Sequence, residues 1–273
     1  KSIKPDIVYA SISGYGQSGP RANLPAFDGA IQASSGMMAI SGHKETGPVR
    51  TGYFSVDMST ALNAAFAISA ALFRRHLTGE GQRIDISMLD SAAMMQAPQI
   101  SNYLVSGEIP DLIGNQSPTK QPTCNVFETE DGFVQVIALR ETQIQSLLKA
   151  IGKESIYEQY NEPELRVKNT DVFLEFLLPT FASETTEYWV NLLESSGVPV
   201  AAIRNLDEVT KDSQFDHRLS LTTIDKPGSE SEQVKVVSAS HLTDPAPPNI
   251  QRAPPILGEH THEILTELGY SEA

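Results

Sequence analysis

The stretch from Thr51 to Asp90 constrains the fold most. A polar approach holding Asp57 leads into an Ala-rich apolar run at 61–73, then Arg74-Arg75, glycines at Gly79 and Gly81, and the alternating Arg83-Ile84-Asp85-Ile86-Ser87. A long apolar run, a glycine stop and then period-two alternation read as loop, buried helix, turn and strand. A buried-strand pattern precedes it at Asp6-Ile7-Val8-Tyr9-Ala10-Ser11-Ile12. Strand, helix and strand in that order place the chain in the α/β class. Asp57 stands at the mouth of the helix, where unpaired N–H groups and the macrodipole favour a carboxylate. An aspartate there is commonly a cap. An oriented, sheltered carboxylate is also what a covalent acyl-transfer step requires.

Composition removes several function classes. The formal charge is −14, which argues against nucleic acid or an anionic membrane as partner. It also means that a polyanionic ligand would need a local basic pocket, and the chain has few Arg/Lys clusters to build one. The single cysteine, Cys124, excludes an internal disulfide and suits a reducing cytoplasm. No Cys or His spacing suits a metal, so none is expected. The apolar run at 61–73 is short for a bilayer and ends in Arg74-Arg75-His76, so a core helix is expected and no membrane span. The chain opens without Met, directly before a core strand, and reads as part of something longer.

Along the chain, residues 1–114 read as α/β, with a Gly/Pro-rich loop at 14–25 and helices at 28–38, after Asp57, and from 88 to about 105. The segment 107–123, rich in Pro, Gly, Asn and Ser, is a loop. A smaller α+β domain is expected over 115–215. It begins with a hairpin at 125–138 turning at Asp131-Gly132, followed by helices at 141–151, 169–179 and 184–196, the last capped by Ser183. Residues 216–273 would return to the first domain through a Pro-rich crossing and a final helix at 260–268.

The run Tyr9-Ala10-Ser11-Ile12-Ser13-Gly14-Tyr15-Gly16-Gln17-Ser18-Gly19-Pro20 resembles a signature of the class III CoA-transferases, the CaiB/BaiF family. So do Phe27-Asp28, Thr78-Gly79-Glu80-Gly81-Gln82-Arg83-Ile84-Asp85, Ser101-Asn102-Tyr103-Leu104 and Leu257-Gly258-Glu259-His260-Thr261, all in matching order. The resemblance implies a CaiB/BaiF-type fold, here an incomplete Rossmann-like large domain with the smaller α+β domain, in a homodimer of interlocked chains. It implies CoA transfer from an acyl-CoA donor to a small carboxylic acid, with the CoA thioester as substrate and no separate cofactor. Asp57 falls at the nucleophile of formyl-CoA transferase-like members.

The resemblance places Pro25, Ala26, Phe27 and Asp28 along the CoA thioester arm, while Asp28 also reads as a plain cap. Members that racemise 2-methylacyl-CoA carry a histidine where Phe27 stands, and a glutamate near Arg140. Phenylalanine exchanges no proton, which weighs against that alternative. The segment 114–121 lies where formyl-CoA transferase has a glycine run that closes over the acylated aspartate; here it reads Gly-Asn-Gln-Ser-Pro-Thr-Lys-Gln. Lys120 can meet a substrate carboxylate or be solvated, and Gln121 can donate to an intermediate or be structural. Backbone N–H groups near the start of the Asp57 helix are expected to stabilise the oxyanion. A third alternative, a non-catalytic or incomplete chain, follows from the family's nucleotide contacts lying mostly in the front half. Cys124 has no paired base in view, the histidines read as surface or caps, and Trp189 reads as core.

Overall fold

The computed structural model describes residues 2–229, 231–244, 246, 250 and 252–270. Its contacts divide the chain into two units, Lys1–Ala202 and Ile203–Ala273.

The first unit opens with β1 (Tyr9–Ser13), α1 (Asp28–Ser34), a 3-10 turn at Met37–Ile40 and the short pair β2 (Gly42–His43) and β3 (Gly47–Pro48). Then come α2 (Ser55–Thr78), β4 (Arg83–Ser87), α3 (Met88–Met95) and α4 (Ala97–Ser106). β1 and β4 pair in parallel, Tyr9 opposite Arg83 and Ser13 opposite Ser87, with α2 in the connection between them. The expected strand–helix–strand order is present. The expected single helix after residue 88 is two, because Pro98 enters at the start of α4 and Gln96 leaves helical geometry between them.

α2 stops where the glycine predicts. Gly79 adopts φ +72, and its N–H closes on the Arg75 carbonyl. Its burial differs from expectation. Only a narrow stripe of small side chains, Ser55, Val56, Thr60, Ala64 and Ala71, is buried. Met58, Leu62, Phe66, Phe73 and Leu77 are exposed, because α1, α3 and β4 pack on one side of the helix alone. By length and composition α2 could also cross a membrane. In this chain it packs on β4 and is tied to α3 by the Asn63–Ser91 hydrogen bond (3.1 Å).

The same unit continues with β5 (Cys124–Glu128), β6 (Phe133–Ile137), α5 (Glu141–Ala150), α6 (Glu154–Gln159), α7 (Pro163–Lys168), α8 (Thr170–Phe181), α9 (Thr186–Ser195) and β7 (Val200–Ala202). β5, β6 and β7 form an antiparallel sheet in that order. The expected hairpin is there, with Asp131-Gly132 in its turn. Its core joins Phe127, Val134, Val136, Ile144, Leu147, Leu148, Phe173, Leu177, Phe181, Trp189 and Leu193. Phe127 stacks on Phe181 at 4.4 Å, Phe181 meets Trp189 at 4.9 Å, and the indole N–H donates to the Phe181 carbonyl at 2.8 Å. Each such buried side chain contributes about 1.5–3 kcal/mol. The cap of α9 is Thr185, whose hydroxyl accepts from the Tyr188 N–H; Ser183 instead donates to the Thr180 carbonyl and lies too early.

The second unit holds α10 (Leu206–Thr210), α11 (Ser213–His217), the antiparallel pair β8 (Leu221–Asp225) and β9 (Gln233–Val237), and α12 (Thr261–Glu267). Asn205 and Glu208 cap α10 reciprocally. The Pro-rich crossing expected at 244–248 falls largely outside the described residues.

Candidate active site

The residue before α2 is Phe54, which has no side-chain acceptor for the orphan N–H groups of the first turn. Asp28, the first residue of α1, fills that role from a different helix. Its Oδ2 accepts from the Val56 N–H at 2.8 Å and from the Asp57 N–H at 3.1 Å. Its Oδ1 accepts from Gln32 Nε2 at 2.6 Å. Gln32 also donates to Thr51 Oγ1 (2.9 Å) and accepts from the Thr51 N–H (3.0 Å), while Thr51 and Ser55 share a hydroxyl contact at 3.1 Å. Asp28 and Gln32 are 4% and 1% exposed. A carboxylate is tolerated at that burial only with its donors in place.

Asp57 sits in the first turn of α2 with its peptide held and its side chain exposed. Its carboxylate accepts no hydrogen bond among the described residues and is free to act on a ligand. Among the described residues none shelters the Asp57 carboxylate, although α1 packs on that end of α2 and caps its amides. The first four amides of α2 are not available as oxyanion donors. The Ser55 N–H goes to the Tyr53 carbonyl, those of Val56 and Asp57 go to Asp28, and that of Met58 goes to the Phe54 carbonyl. Every early amide of the helix is already engaged.

The other candidates fall in three places. Pro25 and Phe27 are exposed at the entry to α1, Phe27 by 81%, while Ala26 packs beside Ile31 and Val56. A Cβ on Gly14 would lie 2.2 Å from that of Ala26, so the loop before α1 needs glycine there. Lys120 is exposed and lines a cavity of about 360 Å3 with His43, Lys44, Asp111 and Gly114. Its φ of +57 is a left-handed conformation that favours glycine. Gln121 is buried elsewhere, donating to the Pro163 carbonyl (3.0 Å) and accepting from Arg166 Nε (3.0 Å). Both ends of its amide are engaged inside the protein.

Sequence reasoning missed Gln32, Thr51 and Ser55; the readable signal was a polar pair, Asp28 and Gln32, one turn apart in a helix of small residues. It also missed that Asp85 accepts from the Gln17 N–H (3.0 Å to Oδ2), pinning the glycine-rich loop to β4. Cys124 is buried, and burial pushes its thiol up, which makes it a poor nucleophile. Among the described residues no group of three or more His, Cys, Asp or Glu is arranged to hold a metal ion.

The family model "CoA-transferase family III" matches residues 1–261. The chain is 32% identical over 278 residues to "Succinyl-CoA:glutarate CoA-transferase" of Mus musculus, covering 99% of this chain and 62% of that protein. It is 32% identical over 269 residues to "Succinyl-CoA:mesaconate CoA-transferase" of Haloarcula hispanica, covering 97% of this chain and 67% of that protein. A crystal structure of a CaiB/BaiF family protein from Brucella suis superposes with a TM-score of 0.83 at 28% identity, over 98% of this chain and 69% of that one. The chain thus spans about three fifths of the mouse relative's length. With the family model matched almost end to end and the mixed α/β fold shared with a CaiB/BaiF structure, this chain belongs to the class III CoA-transferase family.

Proposed function

We propose that the protein carrying this chain moves CoA from an acyl-CoA donor to a carboxylic acid acceptor, with Asp57 as the nucleophile. The observation that carries this reading is Asp57 itself: an exposed carboxylate, unbonded among the described residues, on a peptide fixed at the start of α2 in a chain of this family. A carboxylate oxygen of Asp57 attacks the thioester carbonyl, the C–S bond breaks, and CoA leaves as thiolate from an acyl-aspartyl anhydride. The thiolate attacks the Asp57 carbonyl, which expels the donor acid and leaves an aspartyl-CoA thioester. The acceptor carboxylate attacks that thioester to give a second anhydride, and the thiolate then takes the acceptor acyl group and frees Asp57. Splitting one difficult step into easier ones keeps the thioester's free energy in covalent form, so no nucleotide is consumed.

The acceptor we propose is a dicarboxylate such as succinate or a relative. The names of the relatives, which pair succinyl-CoA with glutarate or mesaconate, support this, as does Lys120 as a point-charge partner for a distal carboxylate. We further propose a homodimer. The exposed apolar ridge of α2 supports it, since contiguous exposed apolar surface marks interaction sites. Replacing Asp57 by Ala in the intact protein and incubating succinyl-CoA with glutarate tests the mechanism. Transfer should vanish, and hydroxylamine should trap Asp57 as a hydroxamate in the unmodified protein alone. Full transfer by Asp57→Ala would sink the reading.

A further inference from the structure

We propose that Asp28 is the positioning residue for Asp57, and that Asp28, Gln32 and Thr51 form a clamp that sets the rate of acyl transfer. The inference rests on Asp57 being the nucleophile. A local Ser, Thr or Asn before α2 would satisfy the same amides, but it would move with the loop that carries it. Here the position before the helix is Phe54, and the acceptor comes from α1. The bond from the Asp57 N–H to Asp28 fixes the peptide plane from which the Asp57 side chain departs. Gln32 fixes Asp28 in turn, and through Thr51 it fixes the loop entering α2. With both polar side chains almost wholly buried, this arrangement has little room to relax. A displacement of about 1 Å at a reacting group costs about 100-fold in rate, so loosening the clamp acts on kcat.

The network also dictates its own rescue. Asp28→Asn alone turns an amide N–H2 toward Gln32 Nε2, donor against donor. Adding Gln32→Glu reverses the pair: the new amide donates to the new carboxylate, its oxygen still receives the Val56 and Asp57 N–H groups, and the carboxylate still receives the Thr51 N–H. The Thr51 hydroxyl turns from the Tyr53 carbonyl to donate where Gln32 Nε2 stood.

The test uses the intact protein with succinyl-CoA and glutarate, measuring kcat, donor KM, the yield of hydroxylamine-trapped Asp57, and Tm. Asp28→Ala should lower kcat about 100-fold. Donor KM should stay within about threefold, since the loss falls on the reacting geometry. Asp28→Asn with Gln32→Glu should recover most of the lost rate and trapping. Ile144→Val, a mild core change far along the sequence, should lower Tm and leave kcat intact. An Asp28→Ala protein with unchanged kcat, or an Ile144→Val protein that loses rate in step with Tm, overturns the proposal. An active Asp57→Ala protein overturns both the nucleophile and the clamp. An inactive one beside an unaffected Asp28→Ala overturns the clamp alone.

Discussion

Gln121 and Arg166 are bonded to each other in the interior, the guanidinium Nε donating to the amide oxygen at 3.0 Å. Arg166 is 1% exposed and also reaches the Tyr160 carbonyl (2.8 Å) and Glu141. Gln121→Ala should therefore act on stability. It leaves a buried N–H without its acceptor, at a cost of about 1–3 kcal/mol. Urea unfolding should show that loss while kcat per folded protein holds. A collapse of kcat without a change in stability would instead return Gln121 to the substrate.

Lys120 carries the acceptor prediction. Lys120→Ala should raise KM for a dicarboxylic acceptor about tenfold, the effect of losing one exposed to half-desolvated charge contact. KM for a monocarboxylic acceptor should stay unchanged. Equal effects on both would make Lys120 a solvated loop residue.

Phe27 bears on the racemase alternative. Incubated in deuterated water with a 2-methylacyl-CoA, the protein should incorporate no deuterium at the α-carbon, because Phe27, which the family resemblance sets at the position of one of the two bases, carries an exposed phenyl ring that exchanges no proton. Incorporation on the timescale of transfer would contradict that.

Asp131 offers a pH test. Thr186, through its backbone N–H at 2.8 Å and then its hydroxyl, holds the Asp131 carboxyl below the usual carboxylate range. A lowered folded pKa gives stability that is present at neutral pH and is lost as pH falls through the folded value. Asp131→Asn should flatten the acid limb of the unfolding curve, at and below the pH where an unperturbed aspartate titrates. An unchanged acid limb would show that the contact contributes nothing in solution.

Cys124 should resist alkylation. Burial disfavours its thiolate, so iodoacetamide at pH 8 should label it slowly until denaturant opens the fold. Fast labelling of the native protein would place the thiol at the surface.

Local chemistry was legible in the sequence. Gly79 ended α2 because only a left-handed residue lets the chain turn there, and Asp131-Gly132 marked the β5–β6 turn, which the Thr129 N–H closes on the Gly132 carbonyl. Asp57 was readable as a carboxylate at a helix start. What stayed hidden was long-range. Nothing near Asp57 announces that the acceptor for its N–H arrives from Asp28, and so nothing warned that the early amides of α2 were engaged. The short helices α6, α7 and α11 carry too few residues for a period to show. The burial of α2 was overestimated because an apolar run reports what a helix prefers, while its neighbours decide what is covered.

The bonds from Asp28 to Val56 and from Gln32 to Thr51 close the base of the segment between α1 and α2, so the β2–β3 hairpin inside it does not determine where Asp57 stands. That hairpin carries His43 and, at its tip, Lys44, and the Gly114 N–H docks on the Gly42 carbonyl at 2.8 Å, bringing the Lys120 loop beside it. The segment is thus an exchangeable cassette. Insertions and deletions within it can reshape the wall of the cavity that Lys120 lines without moving the Asp57 peptide.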